Sequence, residues 1–186
     1  PMSYEDFEAI YREIMSSSLV LEKELRIAVL GRNGSFTHMA AIKRFGSRVI
    51  YVFCNSIPEV FQKVEQGDCD YGVVPIENST EGAVTPTFDL LVDSELKAYA
   101  QFAMKINHNL SSRARKLKDI KRIYSNPQVF GQCRTWLSNN MPWAGQIFVD
   151  STTEAAQRAK KDKTSAAIAS SLAAKIYGLP VLKANI

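Results

Sequence analysis

The order of apolar and polar positions predicts short strands and helices that alternate along the first half of the chain. Residues 26–30 are almost entirely apolar and end at a turn with two glycines, and residues 36–45 then carry apolar side chains at helical spacing. Short apolar runs bounded by turn residues are typical of buried strands. The rhythm continues with strands and helices predicted at residues 49–53, 56–67, 71–76 and 85–91. Alternation of this kind favours a parallel sheet packed against helices.

A long extended stretch over residues 96–110 interrupts the alternation. It holds few turn-forming residues and is too long for one compact strand-helix unit, so we expect the chain to cross there into a second lobe. Beyond it the alternation resumes, with strands and helices predicted at residues 122–124, 127–139, 146–149, 151–161, 166–169, 170–177 and 181–182. The pattern therefore predicts two α/β lobes, residues 26–100 and 111–186, with residues 101–110 crossing between them.

The segment before the first strand, residues 1–25, is predicted to be an amphipathic helix. Ser3 and Asp6 have the spacing of a helix-capping pair, and Phe7 and Ile14 lie two helical turns apart. The N-terminus is acidic and does not resemble a signal peptide. No apolar stretch approaches the roughly 20 residues that span a bilayer. These features favour a cytoplasmic protein with no membrane partner.

The cysteines and histidines limit the metal and redox chemistry that is open to the chain. Cys54, Cys69 and Cys133 are far apart and lack CxxC spacing, which suits buried apolar roles in a reducing compartment. His38 and His108 are the only histidines, and neither has a further ligand at zinc-binding spacing. We therefore expect no metal site, and for both histidines a structural role is favoured over catalysis.

Charge gives little support to a nucleic-acid partner. The formal net charge is +4, and its densest source is the basic stretch at residues 113–122. No interleaved aromatic residues or known nucleic-acid module accompany this stretch, so a solvated face is the favoured interpretation. A small anionic ligand requires less positive charge than this.

Small polar side chains recur where predicted strands give way to helices. In open α/β sheets, ligands bind at this edge, where helix N-termini present N–H groups. Each hydroxyl has an alternative role as a helix cap, and for Ser151 taken alone the cap is favoured. For Asn78, directly after a buried strand, a ligand contact is favoured. The candidates at these junctions are Ser35, Glu77, Asn78, Ser79, Thr80, Ser125, Gln128, Ser151 and Thr152.

Several catalytic signatures are missing from the sequence. There is no GxSxG nucleophile elbow, no phosphate-binding loop and no dinucleotide-binding glycine fingerprint after the first strand. Nucleophilic, nucleotide and hydride chemistry therefore lose support.

Three segments carry a resemblance to a known family. They are YGVVPIENSTEGAVTPTFDLL at residues 71–91, YSNPQVFGQCRTWL at residues 124–137, and STTEAA from Ser151. Over residues 26–186 the chain resembles prephenate dehydratase, and the segment YREIMSSSLVLE at residues 11–22 is similar to the last helix of the chorismate mutase domain in bifunctional enzymes. The resemblance implies a two-lobe α/β fold of the type II periplasmic-binding-protein class, preceded by an N-terminal helix.

The resemblance also implies an activity and a site. Prephenate would lose its ring carboxylate as carbon dioxide and its ring hydroxyl as water, giving phenylpyruvate for phenylalanine biosynthesis, without a cofactor and in a homodimer. Asn78, Ser125 and Gln132 match positions tied to catalysis. The positions that match the lining of the substrate cleft are Ser35, Glu77, Ser79, Thr80, Gln128, Ser151 and Thr152.

The sequence departs from the family pattern at several points. Asn126 replaces the usual histidine, Arg32 replaces a proline, and the Thr-Arg-Phe segment and the regulatory ACT domain do not occur. We therefore expect residues 1–186 alone to have little dehydratase activity. Arogenate as the substrate, and a binding module of the same fold that holds a small carboxylate without converting it, remain open alternatives.

Overall fold

The chain forms two compact units. The structure, a computed structural model, describes residues 3–22, 24–80 and 82–186. Unit 1 contains the described residues up to Arg32 together with Thr37–Met104, and unit 2 contains Asn33–Phe36 and Lys105–Ile186. The predicted crossing segment thus contains the boundary between Met104 and Lys105, and the short segment Asn33–Phe36 belongs to unit 2 although it lies far earlier in the sequence.

Unit 1 is built on a three-stranded parallel sheet. Its elements are α1 (Tyr4–Glu22), β1 (Arg26–Leu30), α2 (Phe36–Phe45), β2 (Ile50–Cys54), α3 (Ile57–Glu65), β3 (Tyr71–Val73), β4 (Glu77–Asn78), β5 (Gly82–Ala83) and α4 (Thr85–Asp93). The strand order is β2-β1-β3, and β4 and β5 form a separate two-stranded hairpin. Ile27, Ala28 and Val29 in the central strand are fully buried. Their burial explains why this strand is continuously apolar rather than alternating.

Helix α1 contacts the rest of unit 1 at the turn that follows α2. Ser3 and Asp6 cap its start reciprocally, as predicted, with Asp6 N donating to Ser3 Oγ at 3.2 Å. The Glu13 carboxylate accepts from Ser47 N at 3.1 Å and from Ser47 Oγ at 2.7 Å. Beside this contact, a Cβ on Gly46 would lie 2.6 Å from the Cβ of Ser16. The helix and the turn after α2 can therefore approach this closely only with glycine at that position.

Unit 2 is built on a five-stranded mixed sheet. Its elements are β6 (Asn109–Ser112), β7 (Arg122–Ser125), α5 (Pro127–Gln132), α6 (Arg134–Asn140), β8 (Gly145–Phe148), α7 (Thr152–Ala159), β9 (Ser165–Ala169), α8 (Ser171–Tyr177) and β10 (Val181–Lys183). The strand order is β10-β6-β9-β7-β8. β7, β8 and β9 run parallel, and β6 runs antiparallel to β9 and to β10. The start of β6 therefore lies at the same edge of the sheet as the ends of β7, β8 and β9.

Most of the predicted elements are confirmed to within two or three residues at each end. The strand predicted at residues 71–76 is too long, because it ends at Val73 and the chain then forms the β4–β5 hairpin. Pro75 has no N–H group to donate to a longer ladder. The single helix predicted at residues 127–139 is also wrong. Cys133, with φ −93° and ψ 5°, divides it into α5 and α6.

Candidate functional site

The carboxyl edge of the unit 2 sheet gathers several of the predicted site residues. β7, β8 and β9 are parallel, so their ends meet at one edge and lead into α5, α7 and α8. Exposed N–H groups at helix starts make such an edge suitable for anionic ligands. The predicted residues at this edge are Ser125, Gln128, Ser151 and Thr152, with Gln132 one turn further along α5.

Ser125 and Asn126 both serve the local structure of the β7–α5 junction. Ser125 is fully buried, and its hydroxyl donates to the carbonyl of Ile168 in the neighbouring strand at 2.9 Å. Asn126 is the N-cap of α5, and its Oδ1 accepts from Val129 N at 2.9 Å. Asparagine is among the preferred N-cap residues, whereas histidine is not. The replacement of the family histidine therefore gives this helix a cap.

Gln132 is exposed and bonded to a histidine that lies next to it in space. His108 Nε2 lies 2.6 Å from Gln132 Oε1, and the His108 ring meets Phe36 edge to face at a centroid distance of 5.5 Å. Gln128, in the first turn of α5, is half-buried. The sequence-based interpretation favoured a structural role for His108. His108 directly precedes β6, whose antiparallel direction brings its start to the carboxyl edge, and the sequence pattern does not reveal the direction of this strand.

Ser151 and Thr152 open helix α7. Ser151 is its N-cap and accepts from Glu154 N at 3.1 Å, so the helix-capping role predicted as the alternative to ligand binding is confirmed. Thr152 is buried, and so is Thr153, whose Oγ1 has no hydrogen-bond partner within the described residues. The junction is thus dense in hydroxyl groups, and one of them is buried without a described partner.

Ser35 reaches the same edge through its neighbour Gly34. The carbonyl of Gly34 accepts from Ser170 Oγ at 2.7 Å, and Ser170 directly follows β9 and caps α8. Gly34 has φ +97°, and a Cβ there would lie 3.1 Å from the Cα of Ala173. Only glycine combines this backbone conformation with so close an approach to α8. Ser35 is half-buried beside this contact.

The remaining predicted residues lie together in unit 1, in the β4–β5 hairpin. Asn78 pairs with Gly82 and is half-buried, and Glu77, Ser79 and Thr80 are exposed. Thr80 N donates to Asn78 Oδ1 at 2.9 Å. Because a backbone N–H can only donate, the amide oxygen must face it, and Nδ2 of Asn78 points elsewhere. The hairpin therefore presents an oriented amide donor.

The predicted residues thus form two groups, one in each unit. The unit 2 group contains Gln132 and the unit 1 group contains Asn78, and their action on a single ligand stays a prediction. Among the described residues, no cluster of three or more His, Cys, Asp or Glu side chains has metal-binding geometry. No helix in the described part of the chain is both long enough and apolar enough to cross a membrane.

The three cysteines and His38 are buried in the core. Cys54, Cys69 and Cys133 are all free and buried, as predicted, and burial raises the pKa of the Cys133 thiol to about 11. His38 is buried with its ring edge-on to Tyr51, at a centroid distance of 4.8 Å, and burial lowers its pKa. Their buried environments favour packing roles for the three cysteines and for His38. For the cysteines the reason is that a reactive thiol requires a lowered pKa.

Comparison with known proteins agrees with the resemblance. The family model described as prephenate dehydratase matches residues 27–186. A bifunctional chorismate mutase/prephenate dehydratase of Pseudomonas aeruginosa is 42% identical over 187 residues, which cover 100% of this chain and 51% of that protein. A prephenate dehydratase of Lactococcus lactis is 39% identical over 165 residues, covering 87% of this chain and 58% of that protein. The chain therefore spans about half the length of the curated relatives that it matches.

A solved structure gives the same result for the fold. Prephenate dehydratase from Arthrobacter aurescens, in complex with L-Phe, is 32% identical with a TM-score of 0.78, covering 87% of this chain and 55% of that one. The predicted fold class, α/β with two lobes of the type II periplasmic-binding-protein kind, is confirmed. From the family match over residues 27–186 and the relatives that share it, we conclude that this chain belongs to the prephenate dehydratase family.

Proposed function

We propose that the protein carrying this chain is a carbon-oxygen lyase that converts prephenate to phenylpyruvate. The observation that carries the proposal is the family match, because it covers residues 27–186 and so includes both groups of polar side chains. The fold alone would not suffice, since this fold also serves proteins that only bind ligands. We also propose that this reaction serves phenylalanine biosynthesis in the cytoplasm.

The proposed reaction requires hydrogen-bond donors to the departing oxygen rather than a nucleophile. As the ring carboxylate leaves as carbon dioxide, its bonding electron pair enters the ring, and the ring becomes aromatic when the hydroxyl departs with a proton as water. Prephenate is a dianion, and charge develops on the departing oxygen. Positioned donors that meet this charge lower the barrier.

Amide groups supply such donors in the proposed mechanism. Asn78 has its Oδ1 held by Thr80 N–H, so its Nδ2 is oriented to donate to an anionic oxygen. Gln132 has its Oε1 facing His108, so its Nε2 is oriented in the same way. We assign these two residues to the substrate and the departing hydroxyl.

The other predicted residues take supporting parts in the proposal. Ser125 is the third predicted catalytic residue, and because its hydroxyl hydrogen is engaged with Ile168, we assign its oxygen the part of a hydrogen-bond acceptor. The proposed substrate-binding residues are Ser35, Glu77, Ser79, Thr80, Gln128, Ser151 and Thr152. Glu77 is the only acidic member of this set, so it should approach a hydroxyl rather than a carboxylate.

Two observations support a larger context for the chain. The chain spans 51% of the bifunctional relative of P. aeruginosa, and α1 precedes the part that matches the family model. We infer that α1, within the predicted segment 1–25, corresponds to the end of a chorismate mutase domain. As a second inference, supported by the family resemblance alone, we propose that the protein is a homodimer. Sedimentation of the protein at its full natural length tests the second inference, and a monomer at micromolar concentration would contradict it.

The activity is tested by incubating the protein at its full natural length with prephenate and, separately, with arogenate. Arogenate carries an amino group in place of the side-chain keto group of prephenate. Formation of phenylpyruvate from prephenate supports the proposal, and formation of phenylalanine from arogenate alone would shift it to arogenate dehydratase. Binding of either compound without product would favour the binding module.

The expected dependence on chain length has its own test. Turnover of prephenate by residues 1–186 is compared with turnover by the protein at its full natural length. We expect the shorter chain to be at least about a hundredfold slower, because it lacks the family's Thr-Arg-Phe segment. A site that loses a positioned donor commonly slows by this factor. Equal turnover by the two forms would contradict this expectation.

A further inference from the structure

We propose that His108 is a positioning residue that holds the amide of Gln132 in the orientation required for catalysis. This inference rests on the proposed function of Gln132. In unit 2, β6 runs antiparallel to β9, with Asn109 opposite Ala169. His108 directly precedes β6 and therefore lies at the carboxyl edge of the sheet. The start of β6 thus lies beside the ends of the parallel strands β7, β8 and β9.

The hydrogen bond defines the direction of the Gln132 amide. His108 Nε2 and Gln132 Oε1 are 2.6 Å apart. A carbonyl oxygen can only accept, so Nε2 carries a proton and donates, and in the neutral ring Nδ1 is then the nitrogen without a proton. Nδ1 is buried and has no hydrogen-bond partner among the described residues. The opposite tautomer would place an unpaired N–H group there, which folded proteins rarely tolerate when it is buried.

His108 is held both at its ring and along its backbone. Phe36 meets it edge to face at a centroid distance of 5.5 Å, with an angle of 82° between the ring planes. The carbonyl of His108 accepts from Ile186 N at 3.0 Å, and Asn185 N donates to Asn109 Oδ1 at 3.2 Å. These contacts hold both the ring and the backbone that carries it, so the donor at Nε2 has a defined position.

The hydrogen bond from His108 orients the side chain of Gln132, which is exposed at the end of the six-residue helix α5. An exposed glutamine samples many rotamers, and its amide group can also turn over. With Oε1 held by His108, Nε2 faces away from the histidine and is directed as a donor. His108 thus acts on the reaction through Gln132 and has no contact with substrate in this mechanism.

Two substitutions separate the donor at Nε2 from the rest of the histidine. The Nε2 of histidine and the amide nitrogen of glutamine lie the same number of bonds from Cα, whereas the amide nitrogen of asparagine corresponds to Nδ1. His108→Gln therefore keeps a donor where Gln132 needs one, and His108→Asn removes it while keeping a polar amide. The two variants form a matched pair.

The first measurement does not depend on activity. Side-chain amide relaxation of Gln132, followed by NMR in the 186-residue chain, should show an ordered amide in the wild type and in His108→Gln, and a mobile one in His108→Asn. Equal mobility in the wild type and His108→Asn would overturn the positioning role. If the wild type proves inactive on prephenate and on arogenate while the amide is ordered by His108, the proposed function fails and the positioning contact stands without a role in that reaction.

The second measurement is a double-mutant cycle on prephenate turnover in the protein at its full natural length. His108→Asn should lower kcat about tenfold to a hundredfold with little change in KM, and His108→Gln should recover most of the loss. In a Gln132→Ala background, His108→Asn should cause no further loss, because the residue through which it acts is gone. Additive losses in the cycle would show that His108 acts on the fold and not through Gln132, and would overturn the proposal.

Discussion

Two hydroxyl groups among the predicted site residues make structural contacts within unit 2. The Ser151 hydroxyl caps α7 by accepting from Glu154 N. The Ser125 hydroxyl, at a predicted catalytic position, donates to the carbonyl of Ile168 inside the sheet. The first of these bonds is local in sequence, whereas the partner of Ser125 lies 43 residues away and is reached only through strand pairing.

Asn126 gives the first prediction at this scale. Asn126→His, which restores the residue usual in the family, should lower the free energy of unfolding by about 1 kcal/mol, because α5 loses the acceptor for Val129 N. Asn126→Ser keeps an acceptor and serves as the control, with a change of a few tenths of a kcal/mol expected. Urea unfolding at pH 7 measures both. Equal stability of Asn126→His and the wild type would contradict the capping role.

Asp162 gives a prediction about pH. Its carboxylate accepts from Ser165 Oγ at 2.6 Å, from Thr164 N at 2.8 Å and from Arg122 Nη2 at 2.8 Å. These donors, with Ser165 first, hold the pKa of Asp162 well below its ordinary value of 3.8. A lowered pKa means that the stabilisation is complete above about pH 4 and is lost as the pH falls further, since the unfolded chain then takes up the proton first.

The measurement is urea unfolding of the wild type and Asp162→Asn over a series of pH values. The wild type should be more stable by about 2 kcal/mol at pH 7, a typical value for hydrogen bonds to a charged group, and the difference should shrink below about pH 4. Asp119→Asn, at an exposed carboxylate, is the control. A difference that stays constant down to about pH 2 would contradict the assignment.

At the scale of elements, the alternation of strands and helices could be predicted because each element carries its own period and its own caps. Ser56, Ser151 and Ser170 mark helix starts in the sequence, and each is an N-cap in the structure. The β4–β5 hairpin could not be predicted, because its strands have two residues each and show no period. The break at Cys133 has no counterpart in the apolar pattern either, because α5 and α6 bury residues on both sides of it.

The contact between Gly34 and α8 gives a prediction about how the segment Asn33–Phe36 is held. Gly34→Ala adds a Cβ 3.1 Å from the backbone of Ala173, at φ +97°. Gly178, the C-cap of the same helix, has φ +65° and open space around it, so Gly178→Ala carries only the backbone cost. We expect about 1 kcal/mol of destabilisation for Gly178→Ala and about 1–3 kcal/mol more for Gly34→Ala. Equal losses in urea unfolding would show that the close approach to α8 is not required.

The docking of α1 gives a second prediction at this scale. Glu13→Gln removes the charge that accepts two hydrogen bonds from Ser47, so α1 should open from unit 1 more often. Hydrogen exchange of α1 amides should speed up about tenfold, which corresponds to about 1.4 kcal/mol. Glu8→Gln removes the charge of an ion pair with Arg12 inside α1 and is the control. Unchanged exchange in Glu13→Gln would mean that the carboxylate does not hold the helix.

At the scale of the whole molecule, the family and the fold class could be predicted from sequence, because three segments carry specific signatures and the rest of the chain carries the strand-helix rhythm. The assignment of Asn33–Phe36 to unit 2 could not, because it depends on a hydrogen bond between Gly34 and Ser170, which are 136 residues apart. The site follows the same division. Most of its members follow from the residue types at strand ends and Gln132 follows from the family resemblance, whereas the contact of Gln132 with His108 depends on the antiparallel direction of β6.

The most direct test of the account is prephenate turnover by the protein at its full natural length and by variants of the two proposed amide donors. Asn78→Ala and Gln132→Ala should each lower kcat about a hundredfold or more, because each removes a donor that meets developing charge. Asn139→Ala and Gln157→Ala, at exposed positions in α6 and α7, remove the same groups elsewhere and should leave kcat within about twofold of the wild type. Full turnover by either site variant, or equal losses in the control variants, would contradict the assignment of these amides to the dehydration of prephenate.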